Sequence, residues 1–142
     1  MCFVVKSKEM KVRTHDVPCW KIGMLGNDNT FMSLYFEYSY GLHVIQPKEV
    51  LRIMYVEESN GLVGGLIGKG YHSYKRKEDA ELEFEKGMIS YFKKGKLDVS
   101  SHAMTLYTSF KSTCIKKFMI PAHTGFYENN TEYVSEIIER VE

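Results

Sequence analysis

The sequence predicts a single α+β domain, residues 1–142, in which an antiparallel β-sheet packs against one long amphipathic helix. The length fits one domain, since domains of roughly 100–150 residues are the commonest. Aromatic residues make up 13% of the chain, mostly as Tyr and Phe, and these residue types favour strands. One segment, beginning at Lys77, instead repeats its apolar residues at helical spacing.

The first part of the chain has the pattern of strands joined by turns. Residues 2–5 form a short apolar run, and residues 19–25 follow Pro18 as a second strand. The aromatic-rich residues 31–40 give the strongest strand pattern in the chain. Residues 26–29 are Gly, Asn, Asp and Asn, which favour a turn, so the second and third strands are predicted to form a hairpin.

The middle of the chain contains a predicted strand, residues 50–56, followed by five glycines between positions 61 and 70. Such a segment is either a flexible loop or a strand that another backbone or a ligand approaches closely. It does not match a phosphate-binding Walker A motif, because Val63 and Gly70 stand where a glycine and a Ser or Thr are needed. A dinucleotide-binding GxGxxG pattern also fails, because Ser73 replaces its last glycine.

A helix is predicted from Lys77 to the stop signal at Gly95. Its apolar positions recur at intervals of three and four residues, with Lys and Glu on the opposite face. These positions are Ala80, Phe84, Met88, Tyr91 and Phe92. Residues 100–108 have no decisive pattern.

The last part of the chain predicts two further strands. Residues 113–120 have the pattern of a strand buried on one face and ended by Pro121. Residues 125–131 predict a turn, and the β-branched content of residues 133–138 favours a strand over a short helix.

Charge and cysteine content exclude several classes of partner. The formal net charge of +1 gives no field that would hold long nucleic acid or an anionic membrane. The three cysteines are far apart, which excludes a CxxC metal or redox motif and predicts buried free thiols. No signal peptide or membrane span is recognisable, so we expect a cytoplasmic protein.

Known catalytic patterns are incomplete, so no catalytic residue, metal or cofactor is predicted. The histidines do not have metal-ligand spacing. Two-histidine phosphodiesterases need a hydroxyl residue two positions after each histidine, but here Ser73 and Thr124 directly follow His72 and His123. Metal-independent cleavage by His72, with Lys69 or a tyrosine as the second proton-transfer group, stays open.

Three segments together resemble a loose group of small proteins of bacteriophages, prophages and gut bacteria. They are DVPCWK at 16–21, GYHSY at 70–74 followed by a helix that opens with EDA at 78–80, and IPAHTGFYEN at 120–129 leading into EYVSEII at 132–138. The chain departs from the group at His123, where a glycine is expected. The resemblance implies a protein that counters host defence, one class of which sequesters the nucleotide signals of defence enzymes; the protein would then act in the cytoplasm of the host cell.

These observations lead to the hypothesis of a small-ligand (nucleotide-like) binding protein that acts as a homo-oligomer. Aromatic faces stack on bases, and isolated cations with Gly-rich backbone hold phosphates. The predicted ligand contacts are Trp20, Lys69, Tyr71, His72, Tyr74, Arg76, His123 and Tyr127. Two alternatives stay open: a metal-independent nucleotide-processing enzyme (phosphodiesterase or ADP-ribosyl transfer), and a module that blocks a host protein.

Overall fold

The structure, a computed structural model, describes residues 3–5, 10–33, 39–52, 55–59, 62–67, 69–93 and 113–142. Side-chain environments are described for residues 10–33, 39–52, 67, 69–86 and 113–142. The elements in chain order are β1 (Phe3–Val5), β2 (Lys11–Val12), β3 (Val17–Leu25), β4 (Phe31–Ser33), β5 (Ser39–Tyr40), β6 (Tyr55–Ser59), β7 (Leu62–Ile67), β8 (Tyr71–Tyr74), α1 (Lys77–Lys93), β9 (Thr113–Ile120), β10 (Gly125–Glu128), β11 (Glu132–Ser135) and β12 (Glu139–Arg140).

The described strands form two antiparallel sheets. The smaller sheet has the order β1-β7-β6. The larger has the order β12-β9-β3-β8-β11-β10-β2, with β4 attached to β3 and β5 attached to β4. Since α1 accompanies these sheets, the predicted α+β class with antiparallel pairing is confirmed, although the strands divide between two sheets.

The centre of the larger sheet is β3, which pairs with β9 from Val17 opposite Ile120 to Met24 opposite Thr113. Burial alternates along β3, as expected where successive side chains point to opposite faces. The predicted hairpin is also confirmed, since Leu25 in β3 lies opposite Phe31 in β4. Residues 34–38 of the predicted aromatic strand lie outside the described residues, and β5 follows them.

Two apolar clusters fill the core. The larger cluster lies on one face of the larger sheet and includes Cys19, Phe31, Tyr40 and Phe118. The rings of Tyr40 and Phe118 meet edge to face, with centroids 5.1 Å apart. The smaller cluster joins Ile67, at the end of β7, to the larger sheet; its members are Leu51, Ile67, Tyr127 and Val134.

Within the glycine-rich segment, residues 62–67 form strand β7, so the loop alternative is wrong for them, whereas Lys69 and Gly70 form a bend. Strand β7 lies between β1 and β6, where glycines let the neighbouring backbones approach closely. Gly70 then adopts a φ of 107° immediately before β8, a conformation that side chains disfavour. Gly61 and Gly68 lie outside the described residues.

Three predicted boundaries are corrected. Residues 50–52 are not a strand, because Leu51 turns into the smaller cluster, and β6 runs from Tyr55 to Ser59. The predicted turn at 125–131 is a turn only after β10, which occupies Gly125–Glu128. The predicted final strand, residues 133–138, ends already at Ser135 in β11, because Ile138 leaves the strand path to enter the larger cluster; the short strand β12 follows at Glu139–Arg140.

Helix α1 begins at Lys77 as predicted and extends to Lys93. Ala80 is buried and Phe84 is partly buried, while Leu82 is 51% exposed. The side chains of residues 87–93 lie outside the described set, as do Gly95 and residues 100–108, so the amphipathic pattern of the whole helix stays a prediction. Among the described residues, no helix is both long enough and apolar enough to cross a membrane.

Candidate functional site

The alternation of β8 separates the predicted contact residues onto two faces of the sheet. Tyr71 and Ser73 are buried, whereas His72 and Tyr74 are partly buried on the opposite face. The Tyr71 hydroxyl donates a hydrogen bond to the Pro47 carbonyl oxygen at 2.6 Å. Tyr71 therefore joins β8 to the segment before residue 50, and its contact with a ligand stays a prediction.

Trp20 and Tyr74 lie directly opposite each other on β3 and β8, so the fold brings these two predicted ligand-contact residues together. Lys117 lies opposite Trp20 on its other side, and Glu132 lies opposite Tyr74. Burial, followed by the nearby Glu83 carboxylate of α1, raises the pKa of Glu132. Helix α1 therefore lies on the same face as this aromatic pair.

His72 is held in its neutral form. Burial, followed by the charge of Lys21, lowers the pKa of His72 to about 4. Its neighbour on β11 is the buried Val134. A proton-transfer group works best when its pKa lies near the pH of the reaction, so His72 is poorly suited to acid–base catalysis at neutral pH.

Lys21 is a buried cation that the sequence patterns did not indicate as special. It is 7% exposed, and its Nζ donates a hydrogen bond to the His72 carbonyl oxygen. The Nζ also lies 5.3 Å from the centroid of the Tyr40 ring. Burial lowers the pKa of Lys21 to about 8. The available signal was its spacing of two residues from Cys19, which places both on the buried face of β3.

Cys19 has the environment predicted for an inert thiol. It is fully buried, and burial raises the pKa of Cys19 to about 12. A thiol with this pKa is almost entirely protonated at neutral pH and is a weak nucleophile. Cys114 is partly buried, and both are free thiols as expected.

A basic cleft lies where the segment before β6 meets the start of β8. It has a volume of about 560 Å³ and is lined by Lys48, Glu49, Val50, Arg52 and Lys69. Three of these five side chains are cationic and one is anionic, so the cleft is positive in a chain that is nearly neutral overall. Lys69 is the one predicted contact residue in this lining.

Backbone hydrogen bonds and one close contact hold the walls of this cleft together. The amide of Glu49 donates to the Glu136 carbonyl oxygen at 2.9 Å, and that of Gln46 donates to Ile138 at 3.0 Å. Any side chain at Gly70 would overlap Leu51 and Val134. Gly70 therefore allows Leu51 to pack beneath the cleft and bring Lys48 and Arg52 near Lys69.

The other predicted contacts lie apart from the cleft. Arg76 makes a bidentate ion pair with Asp79 in the first turn of α1, both bonds being 3.0 Å long. His123 is exposed in a turn with a φ of 63°, and its amide donates to the Arg13 carbonyl oxygen. Tyr127 is 8% exposed and belongs to the smaller apolar cluster. Their contacts with a ligand stay predictions.

Comparison of the chain with protein-family models, with curated proteins and with solved structures found no match. A function is therefore inferred from the residues of this chain and from the geometry of the cleft.

Proposed function

We propose that the protein binds a small phosphate-bearing, nucleotide-like ligand in the basic cleft and does not transform it. The observation that supports this proposal is the convergence of Lys48, Arg52 and Lys69 on one cleft, whose described lining contains a single acidic residue, Glu49. Arginine binds phosphate with two parallel hydrogen bonds, and lysine adds a compact positive charge. The cleft volume of about 560 Å³ is in the usual range for small-ligand sites.

Binding is favoured over catalysis because neither His72 nor Cys19 lines the cleft and burial makes both groups unreactive at neutral pH. The pKa of His72 is about 4, and the pKa of Cys19 is about 12. His72 is three residues beyond Lys69 and is not among the residues that line the cleft. A phosphodiesterase or an ADP-ribosyl transfer enzyme using His72 would have to recharge a group that burial keeps neutral.

The aromatic pair Trp20 and Tyr74 is not part of the lining of the cleft. Tyr74 is five residues beyond Lys69, at the end of β8. The cleft therefore supplies the phosphate contacts in this proposal, and Trp20 and Tyr74 would contact a ligand that extends along β8.

The resemblance to small phage proteins suggests the biological role of this binding. We propose that the protein sequesters a nucleotide signal of host defence in the host cytoplasm, and that it does so as a homo-oligomer. A multiply charged small ligand suits a cleft with three cations, while the formal net charge of +1 gives little attraction for a long polyanion.

Native mass spectrometry with a panel of cyclic di- and trinucleotides and cyclic ADP-ribose isomers tests this proposal. An intact nucleotide should remain bound, and chromatography should recover it unchanged. Arg52→Gln and Lys69→Gln should each weaken binding about 10-fold, because each removes a charge-assisted hydrogen bond. Lys86→Gln, which removes an exposed cation from α1, should leave the affinity unchanged.

The outcomes separate the alternatives. A converted nucleotide would replace the binding proposal with the enzyme, and loss of conversion in His72→Ala would identify the residue responsible. Equal affinity of wild type, Arg52→Gln and Lys69→Gln would remove the cleft from the proposal. The same spectra give the oligomeric state directly.

A second candidate function is a module that blocks a host protein. Exposed aliphatic side chains of one segment favour it: Leu42, Val44, Ile45 and Val50 are 41–63% exposed. Such a patch is typical of surfaces that contact another macromolecule. Absence of nucleotide binding, together with a partner lost on Val44→Ser and Ile45→Ser substitution, would favour this candidate over the first.

A further inference from the structure

One cation of the basic cleft is already paired within the chain. Lys48 Nζ lies 3.2 Å from Glu136 Oε2. The Lys48 side chain is 67% exposed, whereas that of Glu136 is 15% exposed. The lysine is therefore the partner with room to move, and the carboxylate is the partner that the fold holds in place.

Three contacts fix Glu136. Its amide donates to the Gly125 carbonyl oxygen at 3.0 Å, and its carbonyl oxygen accepts from the Glu49 amide at 2.9 Å. A side chain at Gly125 would overlap Glu136 Oε1, so this carboxylate occupies space that exists because residue 125 is glycine. The position of the carboxylate depends on two strands and on the wall of the cleft itself.

We infer that Glu136 is an internal competitor for the ligand and that Lys48 exchanges its carboxylate for a phosphate when the ligand binds. This inference rests on the proposed function of the cleft. A monoanion would replace one negative charge on Lys48 with another and gain little. A ligand that carries two or more negative charges also contacts Arg52 and Lys69, and these contacts offset the cost of breaking the ion pair. We therefore expect pyrophosphate-like or multiply phosphorylated ligands to bind, and monoanions to bind only weakly.

Inorganic pyrophosphate and acetate are the probes, with affinity measured by isothermal titration calorimetry at low ionic strength. Glu136→Gln should bind pyrophosphate about 5-fold more tightly, since exposed ion pairs contribute up to about 1 kcal/mol. Glu139→Gln removes the same charge from β12, the next strand along the chain, and no ion pair of Glu139 is seen among the described residues. This control should stay within 2-fold of the wild type.

Two further variants keep the carboxylate but withdraw it from Lys48. Glu136→Asp shortens the side chain, and Gly125→Ala fills the space that the carboxylate occupies. Both variants should also tighten pyrophosphate binding. Neither variant changes the net charge of the chain, so this result would not be an effect of net charge. Circular dichroism checks that each variant is folded. If Gly125→Ala does not fold, Glu136→Asp alone provides the test.

Acetate should bind the wild type at least 10-fold more weakly than pyrophosphate, because one carboxylate cannot contact Lys48, Arg52 and Lys69 at once. If Glu136→Gln binds pyrophosphate no more tightly than Glu139→Gln does, the inference is wrong and the cleft proposal survives. If neither the wild type nor any variant binds pyrophosphate, both the inference and the phosphate cleft are overturned.

Discussion

Replacement of Lys21 with methionine should stabilise the protein at neutral pH. The ammonium group is buried, and burial lowers its pKa from 10.5 to about 8. At about 1.4 kcal/mol per pKa unit, keeping the charge inside the fold costs about 3 kcal/mol. Methionine has a similar length and no charge, but it leaves the His72 carbonyl oxygen without this donor, a loss of about 1–2 kcal/mol. The net gain in the free energy of unfolding should be about 1–2 kcal/mol.

The pH dependence gives a sharper measurement than the absolute stability. The folded-state pKa of Lys21 is lowered, so the unfolded chain binds the proton more tightly than the folded chain does. The full destabilisation is present below about pH 8 and disappears as the pH rises towards 10.5, the unfolded value. Wild-type stability should therefore gain about 2 kcal/mol from Lys21 between pH 7 and pH 9.5.

Urea unfolding followed by the fluorescence of Trp20 measures both effects. Lys21→Met should lack the gain of about 2 kcal/mol at pH 9.5, whereas Lys116→Met, directly opposite Lys21 on β9, should retain it. Other groups also titrate in this range, and the difference between variant and wild type isolates Lys21. A variant that is less stable than the wild type at pH 7 and has the same pH dependence would refute the reasoning.

Three further substitutions test other parts of the fold. Because the pKa of His72 is lowered to about 4, wild-type stability should fall between pH 6.5 and pH 4, by about 2 kcal/mol more than in His72→Leu; parallel acid unfolding curves would contradict this. Gly70→Ala should lose about 2–4 kcal/mol in urea unfolding, because the φ of 107° and the contact with Leu51 both disfavour a side chain; a loss below 1 kcal/mol would count against the contact. Arg140→Lys should lower the free energy of unfolding by about 2–4 kcal/mol, because lysine cannot reproduce the hydrogen bonds to Asn29 and to the Tyr40 carbonyl oxygen. An unchanged melting temperature would show that these bonds contribute little.

Local sequence patterns were sufficient to predict β9 and the start of α1. Strand β9 occupies the predicted residues 113–120, and α1 begins at the predicted Lys77. Strand β10 was predicted as a turn because Gly125 and the asparagines after it favour turns. The glycine instead makes room for Met10 and Glu136, which are distant in the sequence, and no local pattern contains that information.

The candidate site was harder to predict for the same reason. Lys69 was identified from its place in the glycine-rich segment, but Lys48 and Arg52 join it through contacts between distant parts of the chain, such as the packing of Leu51 against Gly70. Tyr71 and Tyr127 were predicted to contact a ligand from their aromatic character, which fits core packing equally well. Their burial depends on which strands become neighbours, a property of the whole chain.

The pairing of β3 with β9 also affects how the chain can fold during synthesis. These strands share the longest ladder in the larger sheet, yet Val17 and Ile120 come from opposite parts of the sequence. At roughly 5–20 residues per second, a ribosome needs roughly 5–20 s to make the about 100 residues between them. During that interval the nascent β3 lacks its main neighbour, and its backbone edge is open to pairing with other chains. Slow translation at low temperature lengthens this exposure, whereas a chaperone that covers extended apolar segments shortens its effect.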